Sequence, residues 1–503
     1  MNAKPFFFVS FLLCCLSLSA QEWIVRYPSG HPSGYNHFHD GCIDEEGTTF
    51  LVGQEGPDKD TPHAIVFRVA SDGDHSVYQY VKPGFRSMAN CIVEMPNNWL
   101  FVAGNLSNDT CDRLLVLLFD KNLNLLEERQ YDKEVDSLIL GKSRGILDSH
   151  GNVIVSTYAS QNNGHKGMFH RGILFKFNQQ GDTIRHRYLL ADEPDPVAYL
   201  VDFKMRQMWY KDQSETLLCL VPGFGGVMSF ITFDSAFNYI EEHPIWSGQT
   251  EKSDRTLYRD CYTDHWLSEE EALFFSSIGD ADHNRLRVSR VTTQGEILEI
   301  FPLNARVDTI DDAAQPRCMA APNDSTFYFS FHCHPWGYYP GTACVYQLNN
   351  QLEIVGTHID NDHDSYRTCL VLPTPDGGCI TVNDSCIFHP FATQALPFVS
   401  KLSPADFDHI PWSMAQTQQS PTSYHAFPNP CSQTLQIPIA NEYRSNNTRC
   451  RVCDSQGRTL MDCLIRQDGN LLNLDVSKLR PGIYLYRIDS DQKTLFSEKF
   501  LKK

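Results

Sequence analysis

The 503-residue sequence predicts an all-β fold, a seven-bladed β-propeller of four-stranded blades followed by a small β-sandwich. Three observations carry this. Apolar strands recur in fours with polar turns between them. The group of four recurs seven times. The pattern stops at residue 412, ahead of a second strand-rich stretch. No sustained helical period competes with these signals.

The first element is not part of the fold. Lys4 gives a basic start, 6–18 is an unbroken apolar run, and Ser17-Leu18-Ser19-Ala20 is a small-residue cleavage signature. This predicts a secretory signal peptide over 1–20, cut after Ala20. The run is too short for a stable membrane span, and no later stretch reaches spanning length without charges, so no transmembrane segment is expected. Formal net charge is -19, which argues against nucleic acid or an anionic membrane as a partner. Of 17 cysteines, 15 remain once Cys14 and Cys15 leave with the leader. That odd number outside the cytosol implies a free thiol or an intermolecular bond.

The repeating region, 21–412, is justified unit by unit. Cys42-Ile43-Asp44, a turn at Glu46-Gly47 and Thr49-Phe50-Leu51-Val52-Gly53 make one strand pair. Ala64 to Val69, a turn at Asp72-Gly73 and Val77-Tyr78-Gln79-Tyr80 make the next. The first turn of each unit returns at Gly47, Asn98, Gly151, Ser214, Glu271, Asp324 and Gly377, at spacings between 51 and 63 residues. The second hairpins return at 172–188, 227–245, 286–303, 343–358 and 398–410. Four strands per unit near this period are a propeller signature, and sheets packed on both faces explain strands that are apolar on both sides. Glu22-Trp23-Ile24-Val25-Arg26-Tyr27 resembles the units' fourth strands and is expected to close the ring by joining the last blade.

Candidate ligand groups sit near the first strands, which line a propeller's channel. Arg86, Arg144, Arg259, Arg317 and Arg367 each lie at or just before an equivalent position there. Converging guanidiniums would bind a carboxylate, sulfate or phosphate, on an anionic glycan or peptide. Alternatively, each arginine pairs with an aspartate of a neighbouring blade, such as Asp260 or Asp40, and the pairs close the channel; this reading is preferred. Asp360, Asp362 and Asp364 alternate as calcium ligands do, making Ca2+ a candidate cofactor. The Gly and Glu of an EF-hand are missing downstream, so a solvated acidic loop is the plainer reading. His332 and His334 share a strand face with no third ligand identifiable. None of the first turns matches the Ser-x-Asp-x-Gly-x-Thr-Trp box of sialidases, and no hydrolase motif is present. No catalytic residue is assigned. A binding or interaction module ranks first, and a carbohydrate-active enzyme second, sialidase-like or another glycosidase or lyase.

Residues 413–426 read as a polar linker. Beyond it come Phe427-Pro428-Asn429-Pro430, Asp454-Ser455-Gln456-Gly457-Arg458, Leu479-Arg480-Pro481-Gly482-Ile483-Tyr484 and a basic end with Lys499. In that order these motifs resemble the C-terminal sorting domain of type IX secretion cargo of the Bacteroidota, over 427–503 only. The resemblance implies a β-sandwich and recognition by the outer-membrane translocon. It further implies removal by a sortase-like peptidase, and a product that is released or held at the cell surface. Cys450 and Cys463 are expected opposite each other across the Gln456-Gly457 turn, with Cys453 on the other face.

Overall fold

A computed structural model describes residues 23–31, 34–58, 60–132, 139–140, 143–162, 168–189, 207–222, 228–245, 260–279, 284–303, 309–313, 317–335, 342–360, 366–389, 392–409, 431–438, 448–454, 458–465, 471–490 and 493–503. Seven antiparallel sheets follow one another along 23–409, and two more lie in the tail. Blade one is His37–Ile43, Thr49–Glu55, His63–Val69 and His75–Tyr80, hydrogen-bonded in that order. Blade two spans 86–132, three 139–189, four 207–244, five 260–303 and six 309–360. The innermost strands contact one another in sequence around the ring, and that of blade seven returns to that of blade one. The fold is therefore a closed seven-bladed propeller. No described helix is long and apolar enough to cross a membrane.

Closure uses the strand expected to provide it. Trp23–Arg26 pairs with Ala392–Leu402, so the fourth strand of blade seven comes from the opposite end of the repeat. The expected hairpin over 398–410 does not form, because its outer place is already taken. After Leu402 a short 3-10 turn, Pro404–Asp406, carries the chain away. Asp408–His409 then adds to the outer edge of blade six, against Ile354–Asp360. The closing strand is also clamped to blade one. Trp23 Nε1 donates to the Ser71 carbonyl at 3.0 Å. Past the strand, Glu55 accepts from Tyr27 Oη at 2.7 Å, Ser29 Oγ at 2.7 Å, Gly30 N at 2.6 Å and the Gln79 amide.

The core is divided among the blade interfaces. In blade two, Leu100 and Val102 pack towards blade one, while Phe101 and Ala103 pack towards blade three. Alternate residues of one strand thus serve opposite neighbours, which is why these strands read as continuous apolar runs. A separate apolar cluster fills each of the seven interfaces. Polar clasps add to this packing. Tyr131 Oη of blade two donates to the Gly181 carbonyl at a turn of blade three at 2.5 Å. Arg187 of blade three likewise reaches Asn238 of blade four.

One turn geometry recurs. A first residue accepts the N–H of the fourth at its carbonyl, and the fourth has positive φ, as at Asp44 to Gly47 and Asp148 to Gly151. Asp120, Asp234 and Asn349 start such turns in the outer hairpins of blades two, four and six. There the positive-φ position holds Leu123, Phe237 or Leu352 (φ 63°, 64° and 61°) instead of glycine. All three side chains are buried in inter-blade clusters.

The tail folds as a small sandwich. Thr434–Pro438 pairs with Leu471–Asp475, and a second sheet runs Thr459–Leu464, Arg449–Cys453, Gly482–Ser490, Lys493–Lys502. Leu435, Ile437, Leu474 and Val476 from the first sheet share one core with Val452, Tyr486, Ile488 and Phe500 from the second.

Candidate functional site

The best-defined polar cluster lies along the inner strands of blades seven, one and two. Each of these strands carries one extra residue. The register shifts between Thr368 and Leu370, Phe38 and Asp40, and Ala89 and Cys91, so Cys369, His39 and Asn90 bulge. A bulge re-aims the side chains beside it. In blades one and two a glycine of the second strand makes room for it. A Cβ on Gly53 would lie 1.9 Å from the His37 carbonyl oxygen, and one on Gly104 1.8 Å from that of Met88. The matching triplets Val52-Gly53-Gln54 and Ala103-Gly104-Asn105 were the sequence signal for this feature, which the reading of the repeats missed.

Two buried carboxylates organise the cluster. Asp384 of blade seven is 0% exposed; its Oδ2 lies 2.7 Å from His37 Nδ1 and accepts from Cys369 Sγ at 3.2 Å. His37 packs edge-on against Tyr35, with ring centroids 4.3 Å apart. Asp40 of blade one is 3% exposed; its Oδ1 lies 3.2 Å from Arg317 Nε, and its Oδ2 accepts from Ile92 N of blade two at 3.2 Å. Since Arg317 belongs to blade six, the Asp40 pair spans from blade six to blade two past blade seven. Burial first, then the Asp40 charge, pushes the Cys91 thiol up to about 12, while Arg144 and Arg317 both pull it down. Gly145, next to Arg144 in blade three, packs against this thiol: a Cβ there would lie 3.2 Å from Cys91 Sγ.

Of the five arginines, then, Arg317 makes the inter-blade pair described as the alternative to an anion site. Arg144 lies close by on Arg144–Leu147 of blade three. Arg86 starts the inner strand of blade two, two residues before Met88, the position that matches His37. Arg259 lies outside the described residues. Arg367 is on the inner strand of blade seven, opposite Asp384 in register, and its side chain is outside the description. Asp360 ends the outer strand of blade six, far from any inner strand in the sheet order, while Asp362 and Asp364 lie outside the described residues. His332 and His334 fall on the second strand of blade six. Among the described residues no group of three His, Cys, Asp or Glu could hold a metal ion.

In the tail, motif residues far apart in sequence meet. Arg458 closes its turn on Asp454, with its N–H 3.0 Å from Oδ1 and its Nη2 2.7 Å from Oδ2. Tyr484 Oη donates to the Arg480 carbonyl at 2.8 Å, and its ring stacks on Phe500. Arg458, Gly482, Ile483 and Tyr484 line one open groove of about 740 Å³, together with Leu460, Met461 and Lys478. Ile483 is 63% exposed there. Lys499 pairs with Leu485 on the neighbouring strand and is exposed. Phe427, Pro428, Asn429, Pro430 and Gly457 lie outside the described residues.

Residues 425–503 match the family model of the secretion system C-terminal sorting domain. The tail is a type IX sorting domain, and the chain accordingly carries the mark of a secreted protein that engages this secretion machinery. No curated protein matches the sequence. Several solved structures are similar. A polysaccharide lyase, Uly1, is 9% identical, with 73% of this chain and 90% of that chain covered at a TM-score of 0.43. A subtype N10 neuraminidase-like protein of A/little yellow-shouldered bat/Guatemala/060/2010 is 10% identical, with 76% of this chain and 98% of that chain covered at a TM-score of 0.35. A protein of unknown function from Dyadobacter fermentans is 9% identical, covering 64% and 97% at 0.42.

Proposed function

We propose that this protein is exported through the type IX route and works outside the cell as a binding module. The ligand seat is the channel mouth over blades seven, one and two, and the ligand is anionic, such as an acidic glycan or a carboxylate-bearing peptide. After a signal peptide takes the chain to the periplasm, the translocon reads the tail and a sortase-like peptidase removes it. The observation that carries the binding reading is the state of the two buried carboxylates of this cluster. Asp40 and Asp384 are both buried and engaged, with Arg317 and His37 respectively. Glycoside hydrolysis needs two carboxyl groups facing substrate, one to give a proton and one to attack or activate water. Neither described carboxylate at this mouth is placed for that work. Arg86 and Arg144 stand on the inner strands of blades two and three, beside the Arg317–Asp40 pair, and guanidinium groups in that setting suit an anionic ligand although the whole chain is acidic.

The test is binding of the mature chain to arrays of sulfated, carboxylated and neutral glycans, repeated across salt concentrations. Retention on the acidic members that falls as salt rises, and falls again in Arg86→Ala, is the expected result. Equal retention of neutral glycans would overturn the anion reading. Glycan cleavage by the wild-type chain would overturn the binding-module reading in favour of the enzyme.

A further inference from the structure

We propose that Cys450 and Cys463 form a disulfide that staples the central hairpin of the sorting domain once the chain has left the cytosol. The two residues are direct cross-strand partners in the antiparallel pair Arg449–Cys453 and Thr459–Leu464. Facing residues of an antiparallel pair have Cα atoms about 4.5–5.5 Å apart, which falls within the Cα range of disulfides, about 4.4–6.8 Å. The Cys463 thiol donates to the Cys450 carbonyl at 3.6 Å, so it already lies over its partner's backbone. Cys453, three residues from Cys450, faces Thr459. Cys431 is buried elsewhere in the same core, bridged to Lys502. Within the described tail only one pair of cysteines meets in register.

The two thiols differ in a way that sets the order of events. Cys463 is half-buried on Thr459–Leu464, the free edge of its sheet, while Cys450 is fully buried on the strand inside it. Cys463, half-buried on the edge strand, is thus the thiol that an oxidant reaches first, and its thiolate is the attacking form. The co-reactant is a protein or glutathione disulfide. The Cys463 sulfur attacks one of its sulfurs, forming a mixed disulfide and releasing the other as a thiolate. The Cys450 thiol then loses its proton and attacks Cys463, which frees the second half of the oxidant as a thiol. Two S–H bonds are lost, one S–S bond forms, and the oxidant gains the two electrons and two protons.

The proposal rests on the export reading, because a cytosolic chain keeps its thiols reduced. The experiment separates the two. The full chain is purified reduced and treated with oxidised glutathione. A second sample is recovered from the medium or surface of its own host. Both are unfolded in alkylating reagent without reductant and mapped by peptide mass spectrometry. The expected result is a peptide pair linked through Cys450 and Cys463 in both samples, with both residues alkylated only after reduction. Cys450→Ser should leave Cys463 carrying glutathione, since its resolving partner is gone. Alkylation of both cysteines in the glutathione-treated chain would overturn the staple whatever the route of export. A linked pair in the treated chain, with no chain outside the host cell, would support the staple and sink the export reading.

Discussion

Phe237 sits with φ at 64° while its ring is 1% exposed. A left-handed residue with a side chain costs roughly 1–2 kcal/mol over the right-handed alternative. Glycine would remove that cost but also the ring, and losing a buried phenylalanine costs about 3–5 kcal/mol. Packing outweighs strain, so Phe237→Gly should destabilise the propeller despite relieving its backbone. A denaturant midpoint equal to or above that of the wild type would contradict this. Glu55 poses the other residue-scale test. Burial pushes its carboxyl up, but hydrogen bonds from Tyr27, Ser29, Gln79 and Gly30 outweigh that and hold it below its ordinary value. A depressed folded value means stability that is complete above the unfolded value, about 4.3, and is lost as pH falls through the folded one. The melting temperature should drop below about pH 4, and the drop should be shallower in Glu55→Gln, which is already weakened by about 2–4 kcal/mol at neutral pH. Neither residue was legible beforehand. A lone phenylalanine between Asp234 and Asn238 looks like any apolar residue, and the donors to Glu55 come from chain segments about 25 residues away.

At the scale of elements, the strands declared themselves through their burial. The middle strands of a blade pack against neighbouring blades on both faces, so strands such as Leu100–Ser107 and Asp112–Phe119 are mostly apolar, and the turns stand out against that background. The closing strand was legible for the same reason. Its error-prone counterpart was 398–410, where a real strand, Ala392–Leu402, was read as the first half of a hairpin. Periodicity shows that a fourth strand is needed without saying which part of the chain supplies it. Removing residues 22–27 from the mature chain should cost roughly 3–6 kcal/mol from Val25 and Tyr27 alone. It also exposes the edge of Ala392–Leu402 and frees the Glu55 donors. Thermal unfolding unchanged from the wild type would mean that the strand does not hold the ring. The inner-strand bulges, by contrast, were hidden, since an inserted residue leaves the apolar pattern intact. The arginines were found from spacing, but only the register could show that Arg317 meets Asp40.

For the whole molecule, the two cores are separate. Every apolar cluster of the propeller draws on residues between 25 and 407, and the sandwich cluster draws on residues between 431 and 500. A chain ending at residue 412 should therefore keep the propeller's melting behaviour while accumulating in the periplasm. Its appearance on the cell surface at wild-type levels, measured by fractionation and protease shaving, would show that the tail is not needed for export. Fold and route were readable at this scale because repetition and linear motifs are properties of the chain itself. The ligand was not, because a channel mouth is assembled from blades hundreds of residues apart.

The pairing of Trp23–Arg26 with Ala392–Leu402 also imposes an order on biogenesis. The first strand of the fold to be synthesised is the last to find its place, since its partner follows more than three hundred residues later. Until then the growing chain carries an unsatisfied β-edge at its front, while blades one to six can already settle against one another. A factor that shields this N-terminal segment, or a rate of emergence that outruns its aggregation, becomes a requirement for yield. An arc of six blades waiting for its seventh is thus a species whose open edges another chain could pair with.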